Sequence, residues 1–193
     1  MRKTTIGIIG SSAKPGRDIS LATVAAAEEV GRLVAERGAV LVNGGTSGIM
    51  EASARGAQQA GGLTIGFLPQ GDYSHANAYL DIAFPTGMGT MRNVLTSRGC
   101  DAVIMLGGGA GTLNEVTLAY DFGTPVIVLR GTSGWSDRLE ESLFDGKWLD
   151  DREVVPIVFA DTPEDVVDAA FAATTTTRQV SAVHQAFAGA AGD

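Results

Sequence analysis

The chain has 193 residues, of which 45% are hydrophobic and 19% charged, a composition typical of a globular protein and not of a disordered one. Its formal net charge of −8 argues against a general nucleic-acid binder, because that affinity comes from clustered Lys and Arg. No apolar run approaches the ~20 residues of a membrane span, and with only His75 and His184 a histidine-rich metal site is excluded.

Short β-branched runs alternate with longer helical patterns along the chain. The expected strands are 4–9, 39–42, 63–68, 79–83, 102–106, 125–129 and 155–159, and the expected helices are 18–37, 48–60, 90–99, 112–122, 135–144 and 163–172. Most of the strand runs are continuously apolar, which is typical of strands buried on both faces of a parallel sheet. We therefore predict a single-domain α/β fold: a doubly wound, mostly parallel, Rossmann-like sheet with helices on both faces.

The composition changes near the end of the chain. Residues 1–173 are expected to form one Rossmann-like domain that binds a nucleotide or phosphate. Residues 174–193 are rich in Thr, Ala and Gly and are expected to be a flexible tail, within which 179–187 could form a short helix. Cys100 is the single cysteine, so an intrachain disulfide is impossible and we expect a cytoplasmic protein.

Three expected strands end in a turn rich in glycine and hydroxyl side chains, followed by helical sequence. These segments are "IIGSSAKPGR" (8–17), "LVNGGTSGIMEA" (41–52) and "MLGGGAGTLNE" (105–115). In a parallel sheet all three turns lie at the carboxyl edge, and the helix that follows each turn presents unpaired N–H groups that suit a phosphate. Each turn could also use glycine for geometry alone. The spacing lacks a Gly-Lys-Ser/Thr ending, which argues against a P-loop NTPase.

Two charged residues near the third loop each have two interpretations. "TLNE" has the pattern of a capping box, in which Thr112 and Glu115 cap the helix start reciprocally. Alternatively, the Glu115 carboxylate faces a ribose, whose C1′ becomes cationic when an N-glycosidic bond breaks. With Thr90 as the expected N-cap, Arg92 lies in a first helical turn, where the helix dipole disfavours a cation. Arg92 therefore either points into solvent or serves the site.

The third loop resembles a family motif. "GGGAGTLNE" at 107–115 is similar to the Pro-Gly-Gly-x-Gly-Thr-x-x-Glu motif of the Lonely Guy (LOG) proteins, long misannotated as lysine decarboxylases. Those enzymes are cytokinin riboside 5′-monophosphate phosphoribohydrolases. Arg92 and Asp101 keep the nine-residue interval of the family, and "GSS" at 10–12 and "GGTSGIM" at 44–50 resemble its earlier loops.

The resemblance covers about residues 4–130 and includes departures. Gly107 stands where the family has proline, Asn93 replaces the lysine of an Arg-Lys pair, and Glu51 replaces a glycine. The chain accordingly looks closer to a sister branch that includes molybdenum-cofactor carrier proteins. Loss of the lysine removes one expected contact to phosphate or substrate.

The resemblance implies a set of site residues and partners. Arg92 and Glu115 would be the catalytic pair. The ligand-binding residues would be Gly10, Ser11, Ser12, Gly44, Gly45, Thr46, Gly108, Gly109, Gly111 and Thr112, with the phosphate on the last four and no metal. The resemblance also implies a homodimer or homotetramer and a small phosphorylated ligand. From charge and hydropathy we expect neither nucleic acid nor membrane as a partner.

Three functions remain open from the sequence. The first is hydrolysis of a nucleoside 5′-monophosphate to free base and ribose 5-phosphate, with no cofactor required. The second is a non-catalytic carrier or sensor of molybdenum cofactor or another phosphorylated pterin or nucleotide. The third is a structural or interaction protein whose loops are purely geometric. The retained Arg92 and Glu115 favour the first, and Asn93 favours the second.

Overall fold

The described residues form one parallel sheet. The computed structural model describes residues 2–16 and 18–175, which contain seven strands and five α-helices. The strands are β1 Thr5–Gly10, β2 Val40–Asn43, β3 Leu63–Leu68, β4 Ile82–Pro85, β5 Ala102–Leu106, β6 Val126–Leu129 and β7 Ile157–Ala160. Their order is β4-β3-β2-β1-β5-β6-β7 and every pairing is parallel. This confirms the predicted doubly wound, Rossmann-like α/β fold.

The helices connect successive strands and cover both faces of the sheet. They are α1 Leu21–Glu36, α2 Ile49–Gln59, α3 Asn93–Gly99, α4 Ala110–Asp121 and α5 Pro163–Ala173. Helices α1, α2 and α5 pack on one hydrophobic cluster with β1, β2, β5 and β6. Helix α4 packs on the opposite cluster, and α3 lies beside it. All five residues of β5 are buried, because this central strand is covered from both sides.

The topology places three loops together. Strand β1 pairs with β2 on one side and β5 on the other, so the chain leaves β1 and β5 toward opposite faces of the sheet. Open α/β sheets bind ligands at such a switch point, outside the carboxyl ends of the strands. The loops after β1, β2 and β5 all lie at this edge, and they are the three that the sequence singles out.

Some predicted elements are wrong or shifted. The helix predicted over 135–144 is replaced by two short 3₁₀ turns, Gly134–Asp137 and Glu140–Ser142. The strand predicted over 79–83 is β4, three residues later. The helix predicted from Thr90 begins as a 3₁₀ turn, Gly89–Arg92, in which Thr90 caps nothing.

Helix α5 ends at Ala173, and the predicted tail from residue 176 onward lies outside the described residues, as does the helix suggested for 179–187. Within the described part of the chain, none of the helices has the length and apolar character needed to cross a bilayer.

Candidate functional site

The loop after β5 is shaped by two glycines whose amides bond to neighbouring loops. Gly107, with φ +66°, donates its amide to Thr132 Oγ1 at 2.9 Å. Gly108, with φ +106°, donates its amide to Ser11 Oγ at 2.8 Å. Because L side chains rarely adopt these positive φ values, glycine is required at both positions. The Gly108 amide is therefore already committed to the protein.

The start of α4 leaves backbone donors available just beyond these glycines. Gly109 precedes the helix and no side chain caps it. The first i−4 bond is donated by Leu113 N to Gly109 O at 3.0 Å, so the amides of residues 109–112 precede it. A Cβ built on Gly109 or Gly111 meets no atom within 4 Å, which shows open space on this side of the helix end. A ligand can approach the bare backbone here.

The loop after β1 connects the other two. Ser11 Oγ accepts from Gly108 N, and Ser11 O accepts from Ile49 N at 3.0 Å at the start of α2. Thr112 Oγ1 donates to Gly10 O at 3.2 Å, which ties α4 to the end of β1. Ser12 is half-buried and has no hydrogen-bond partner in the described part of the chain. Ser11 is thus the residue on which the three loops meet.

Two asparagine side chains hydrogen-bond to the backbone of the loop after β2. Gly45, with φ +73°, donates its amide to Asn43 Oδ1 at 2.7 Å. Asn77 Nδ2 donates to the carbonyls of Gly45 at 3.1 Å and Thr46 at 3.0 Å. These bonds fix the loop backbone without using its outer surface. Asn77 lies more than thirty residues along the chain from its acceptors, so no local sequence pattern indicates its role.

A buried ion pair lies beside the loops. Arg92 Nη1 donates to Glu115 Oε1 at 3.0 Å, and the two side chains are 12% and 8% exposed. Thr96 Oγ1 donates to the same Oε1 at 3.0 Å. The guanidinium lies against Gly44, where a Cβ would come within 2.5 Å of Nη2. Any residue other than glycine at position 44 would displace Arg92.

The pair is only partly satisfied within the protein. Arg92 Nε is buried and has no hydrogen-bond partner among the described residues, and Nη2 has none either. Both hydrogen bonds to Glu115 end on Oε1. Oε2 therefore has no hydrogen-bond partner among the described residues, and it is accessible to solvent. Buried donors without partners are rare in native proteins and call for an explanation. A bound oxyanion supplies one.

The capping-box interpretation of "TLNE" is wrong. Thr112 is the third residue of α4 and bonds to Gly10 O, so it is not at the N-cap. Glu115 reaches across to α3 and does not turn back to cap its own helix. Burial raises the pKa of the Glu115 carboxyl above its usual range, although Arg92 and Thr96 act in the opposite direction. A position that costs free energy in this way is typical of functional sites.

The sequence did not indicate two contacts that support the site. The loop after β6, which leads into the helix predicted over 135–144, places Thr132 under Gly107. In the same segment Trp135 N donates to Gly108 O at 3.0 Å. The "GTSG" of this loop is a fourth turn rich in glycine and hydroxyl side chains, the same signal as in the other three. Asn93 is 3% exposed and its Nδ2 donates to Asn114 Oδ1 at 2.9 Å, joining α3 to α4.

No group of three or more His, Cys, Asp or Glu in the described residues is arranged to hold a metal ion. The structure brings together Arg92, Glu115 and the three loops. It defines a Rossmann-like protein with a charged site at its switch point, in which the ion pair has hydrogen-bonding groups left over.

Comparison with known proteins gives the family. The chain belongs to the SLOG cluster4 family, whose model matches residues 3–167. The crystal structure of TM1055, a structural-genomics target, is 37% identical with a TM-score of 0.83, and covers 88% of this chain and 99% of its own.

Two other similar structures are of proteins named for molybdenum cofactor. The molybdenum cofactor binding protein of Rippkaea orientalis is 33% identical with a TM-score of 0.75, covering 89% of this chain and 98% of its own. The molybdenum cofactor carrier protein of Chlamydomonas reinhardtii is 29% identical with a TM-score of 0.75, covering 91% and 100%. These findings confirm the resemblance to the LOG-like superfamily, near its molybdenum-cofactor carrier branch.

Proposed function

We propose that the protein binds a phosphorylated, nucleotide-like ligand at the switch point and hydrolyses the N-glycosidic bond of a nucleoside 5′-monophosphate. The observation that carries this proposal is the buried Arg92–Glu115 pair, which keeps Nη2 and Oε2 free beside the open start of α4. The buried Nε has no partner among the described residues, and Nη2 and Oε2 keep hydrogen-bonding capacity on the side that a ligand can reach.

The phosphate would lie at the start of α4. The amides of residues 109–112 and the helix dipole favour an anion there, at an open surface. Arg92 adds a cation that uses one of its five N–H donors on Glu115 and keeps others for phosphate. Gly108 and Ser11 support the loop, since their mutual hydrogen bond removes the Gly108 amide from the set of free donors.

The reaction needs one water molecule. Water attacks C1′, the C1′–N bond breaks, and its electron pair leaves with the base, which takes up a proton. The Glu115 carboxylate would stabilise the cationic C1′ and accept the proton of the attacking water, for which a raised pKa is suitable. The loops at 10–12 and 44–46 would hold the sugar or base. The proposal requires no cofactor, because two side chains supply the charges.

The direct test is a panel of nucleoside 5′-monophosphates incubated with the protein, with free base and ribose 5-phosphate measured by chromatography. Release of both products in equal amounts, abolished in Glu115→Gln, supports the proposal. If no nucleotide releases base after long incubation while the protein binds the phosphate, the hydrolase assignment fails.

The second candidate is a non-catalytic carrier of molybdenum cofactor or a related phosphorylated pterin. It is supported by two similar structures named for that cofactor and by Asn93, which replaces the family lysine with a side chain committed to Asn114. The same phosphate site would serve the pterin phosphate. This reading predicts tight, salt-sensitive binding with no product release.

We also propose a homodimer, or a homotetramer built from it, in the cytoplasm. On the face that carries α3 and α4, the side chains of Ile82 and Phe84 on edge strand β4 are 40% and 46% exposed. Met88 and Met91, just before α3, are 43% and 71% exposed. An apolar patch of this kind favours a protein partner. Light scattering should show a dimer that Met91→Glu dissociates, whereas Phe144→Glu, at a 60% exposed side chain elsewhere, should not.

A further inference from the structure

An open cavity of about 510 Å³ lies next to the proposed phosphate site, between the loop after β1 and the first turns of α1 and α2. Its volume falls within the ~300–1,000 Å³ of small-molecule sites. Its charged lining residues are Lys14, Asp18, Glu51 and Arg55. Neither Arg92 nor Glu115 lines it, so this is a separate part of the molecular surface.

Two carboxylates line the cavity without a hydrogen bond or ion pair to any described residue: Asp18, which is exposed, and Glu51, which is half-buried and lies deeper in the wall. Glu51 lies in the first turn of α2 and has no hydrogen bond or ion pair with any described residue. Its natural partner would be Arg55, four residues later on the helix. However, Arg55 Nη2 is bonded to Glu28 Oε2 at 2.8 Å and its guanidinium lies over the ring of Tyr79. Glu51 is therefore available to a ligand.

The remaining lining suits a flat ring. Leu21 is 87% exposed, although it is the first residue of a helix that packs on the core. Together with the half-buried Ile19 and Val24 it gives the cavity an apolar wall. Lys14, which also has no partner among the described residues, adds one cationic donor. Apolar walls with a few polar groups are the usual composition of ligand pockets.

We propose that this cavity holds the ring of the ligand and that Glu51 selects a 2-amino-4-oxopyrimidine edge, the edge shared by guanine and pterins. A carboxylate only accepts hydrogen bonds, and its two oxygens match the two adjacent N–H donors of that edge. Lys14 can donate to the neighbouring carbonyl oxygen. Adenine instead presents a ring-nitrogen acceptor beside its amino group, and Glu51 repels that acceptor.

This assignment rests on the proposed function, because it needs the phosphate to lie at α4. Only Ser11 separates the proposed phosphate site at α4 from the cavity. Its Oγ accepts from Gly108 N on the side of α4, and its carbonyl accepts from Ile49 N at the start of α2. The cavity begins beside that carbonyl, since a Cβ on the lining residue Gly48 would come within 2.5 Å of Ser11 O. A nucleotide or a pterin phosphate is long enough to span one residue.

The test is titration calorimetry at fixed ionic strength with GMP, AMP, neopterin monophosphate and ribose 5-phosphate. The proteins are wild type, Glu51→Gln and the control Glu141→Gln, which removes the same charge outside the cavity. Wild type and control should bind GMP and neopterin monophosphate about tenfold or more tighter than AMP, because a charge-assisted hydrogen bond contributes about that factor to affinity. Glu51→Gln should lose this preference and keep its affinity for ribose 5-phosphate.

The outcomes separate two failures. If wild type binds AMP as tightly as GMP, or if Glu51→Gln keeps the preference, the ring assignment is overturned while ribose 5-phosphate binding upholds the phosphate site. If ribose 5-phosphate and all three ring-bearing ligands fail to bind wild type, the proposed function fails and the ring assignment fails with it. A preference for GMP over neopterin monophosphate identifies a nucleotide, and the reverse identifies a pterin.

Discussion

Replacing Glu115 by Gln tests the site most sharply, because the two side chains have the same shape. The Gln carbonyl can still accept from Arg92 and Thr96, which now bond to Oε1 at 3.0 Å each. Only the bond from Thr96 becomes a neutral one, but the buried Arg92 guanidinium loses its counter-charge, a change that typically costs about 3–5 kcal/mol. Relief of the desolvation penalty of a buried carboxylate offsets this by a similar amount or more, since that penalty is several kcal/mol. We expect the free energy of unfolding at pH 7 to change by less than about 2 kcal/mol.

Turnover should respond very differently from stability. Loss of a general base typically lowers the rate by about 10²- to 10⁴-fold. The assay is base release from the best nucleotide of the panel, with urea unfolding of the same preparations at one protein concentration. The matched control is Glu140→Gln, which changes a half-exposed ion pair with Arg130. It should leave turnover unchanged and alter the free energy of unfolding by no more than about 1 kcal/mol. Turnover within threefold of wild type, or a loss of stability above about 4 kcal/mol, would refute the reasoning.

The pH dependence of the same pair of proteins gives an independent check. Burial raises the pKa of Glu115 in the folded state. The contribution of this carboxyl to folding stability is therefore complete below its pKa in the unfolded chain and is lost as pH rises through its pKa in the folded protein. Gln does not titrate. The stability of Glu115→Gln relative to wild type should therefore improve from about pH 4.3 upward.

Three further predictions concern the scaffold. Ser11→Ala leaves the buried amide of Gly108 unpaired and should cost about 1–3 kcal/mol in urea unfolding, together with weaker ribose 5-phosphate binding. Gly134→Ala places a Cβ 2.4 Å from Gly108 O at φ +66° and should cost about 2 kcal/mol or more, with the same loss of binding. The control Gly131→Ala, at φ +73° with no atom within 4 Å, should cost about 1 kcal/mol and leave binding unchanged. Burial pushes the pKa of Asp101 up, but hydrogen bonds from Arg2 and Thr5 outweigh it and keep that pKa low. Asp101→Asn should therefore destabilise at pH 7, and the difference should shrink in urea titrations as pH falls.

The central strands could be predicted because they are short, apolar and covered on both sides, whereas the edge strand β4 is partly exposed and was predicted three residues too early. β5 is the clearest case, with five buried residues between glycine-rich and charged segments. The helix predicted over 135–144 failed because backbone turns decide that segment. Asp137 accepts from the amides of Gly131 and Ser133, and Ser133 has φ +66°. These contacts compete with a helix, and amphipathic spacing does not reveal them.

The candidate site was predicted as a set of residues but not as a network. Glycine-rich turns after parallel strands indicate one edge of the sheet, and the structure places them there. The ion pair joins residues 23 positions apart through the packing of α3 on α4, so local spacing suggested a capping box instead. Asn77 and Thr132 act on backbone atoms of distant loops, and only the fold reveals those contacts.

The charges of the site bear on whether it performs chemistry. Arg92 and Glu115 cancel one another, and the start of α4 adds about half a positive charge. A bound phosphate dianion therefore makes the occupied site negative, and such a site stabilises a cation that forms at C1′. In a carrier Glu115 serves only to hold and neutralise Arg92, and its Oε2, which has no partner among the described residues, has no further use. Asn93 is consistent with both readings, because it holds α3 against α4 and keeps Arg92 in place. The retention of Glu115 in this costly position favours hydrolysis over carriage.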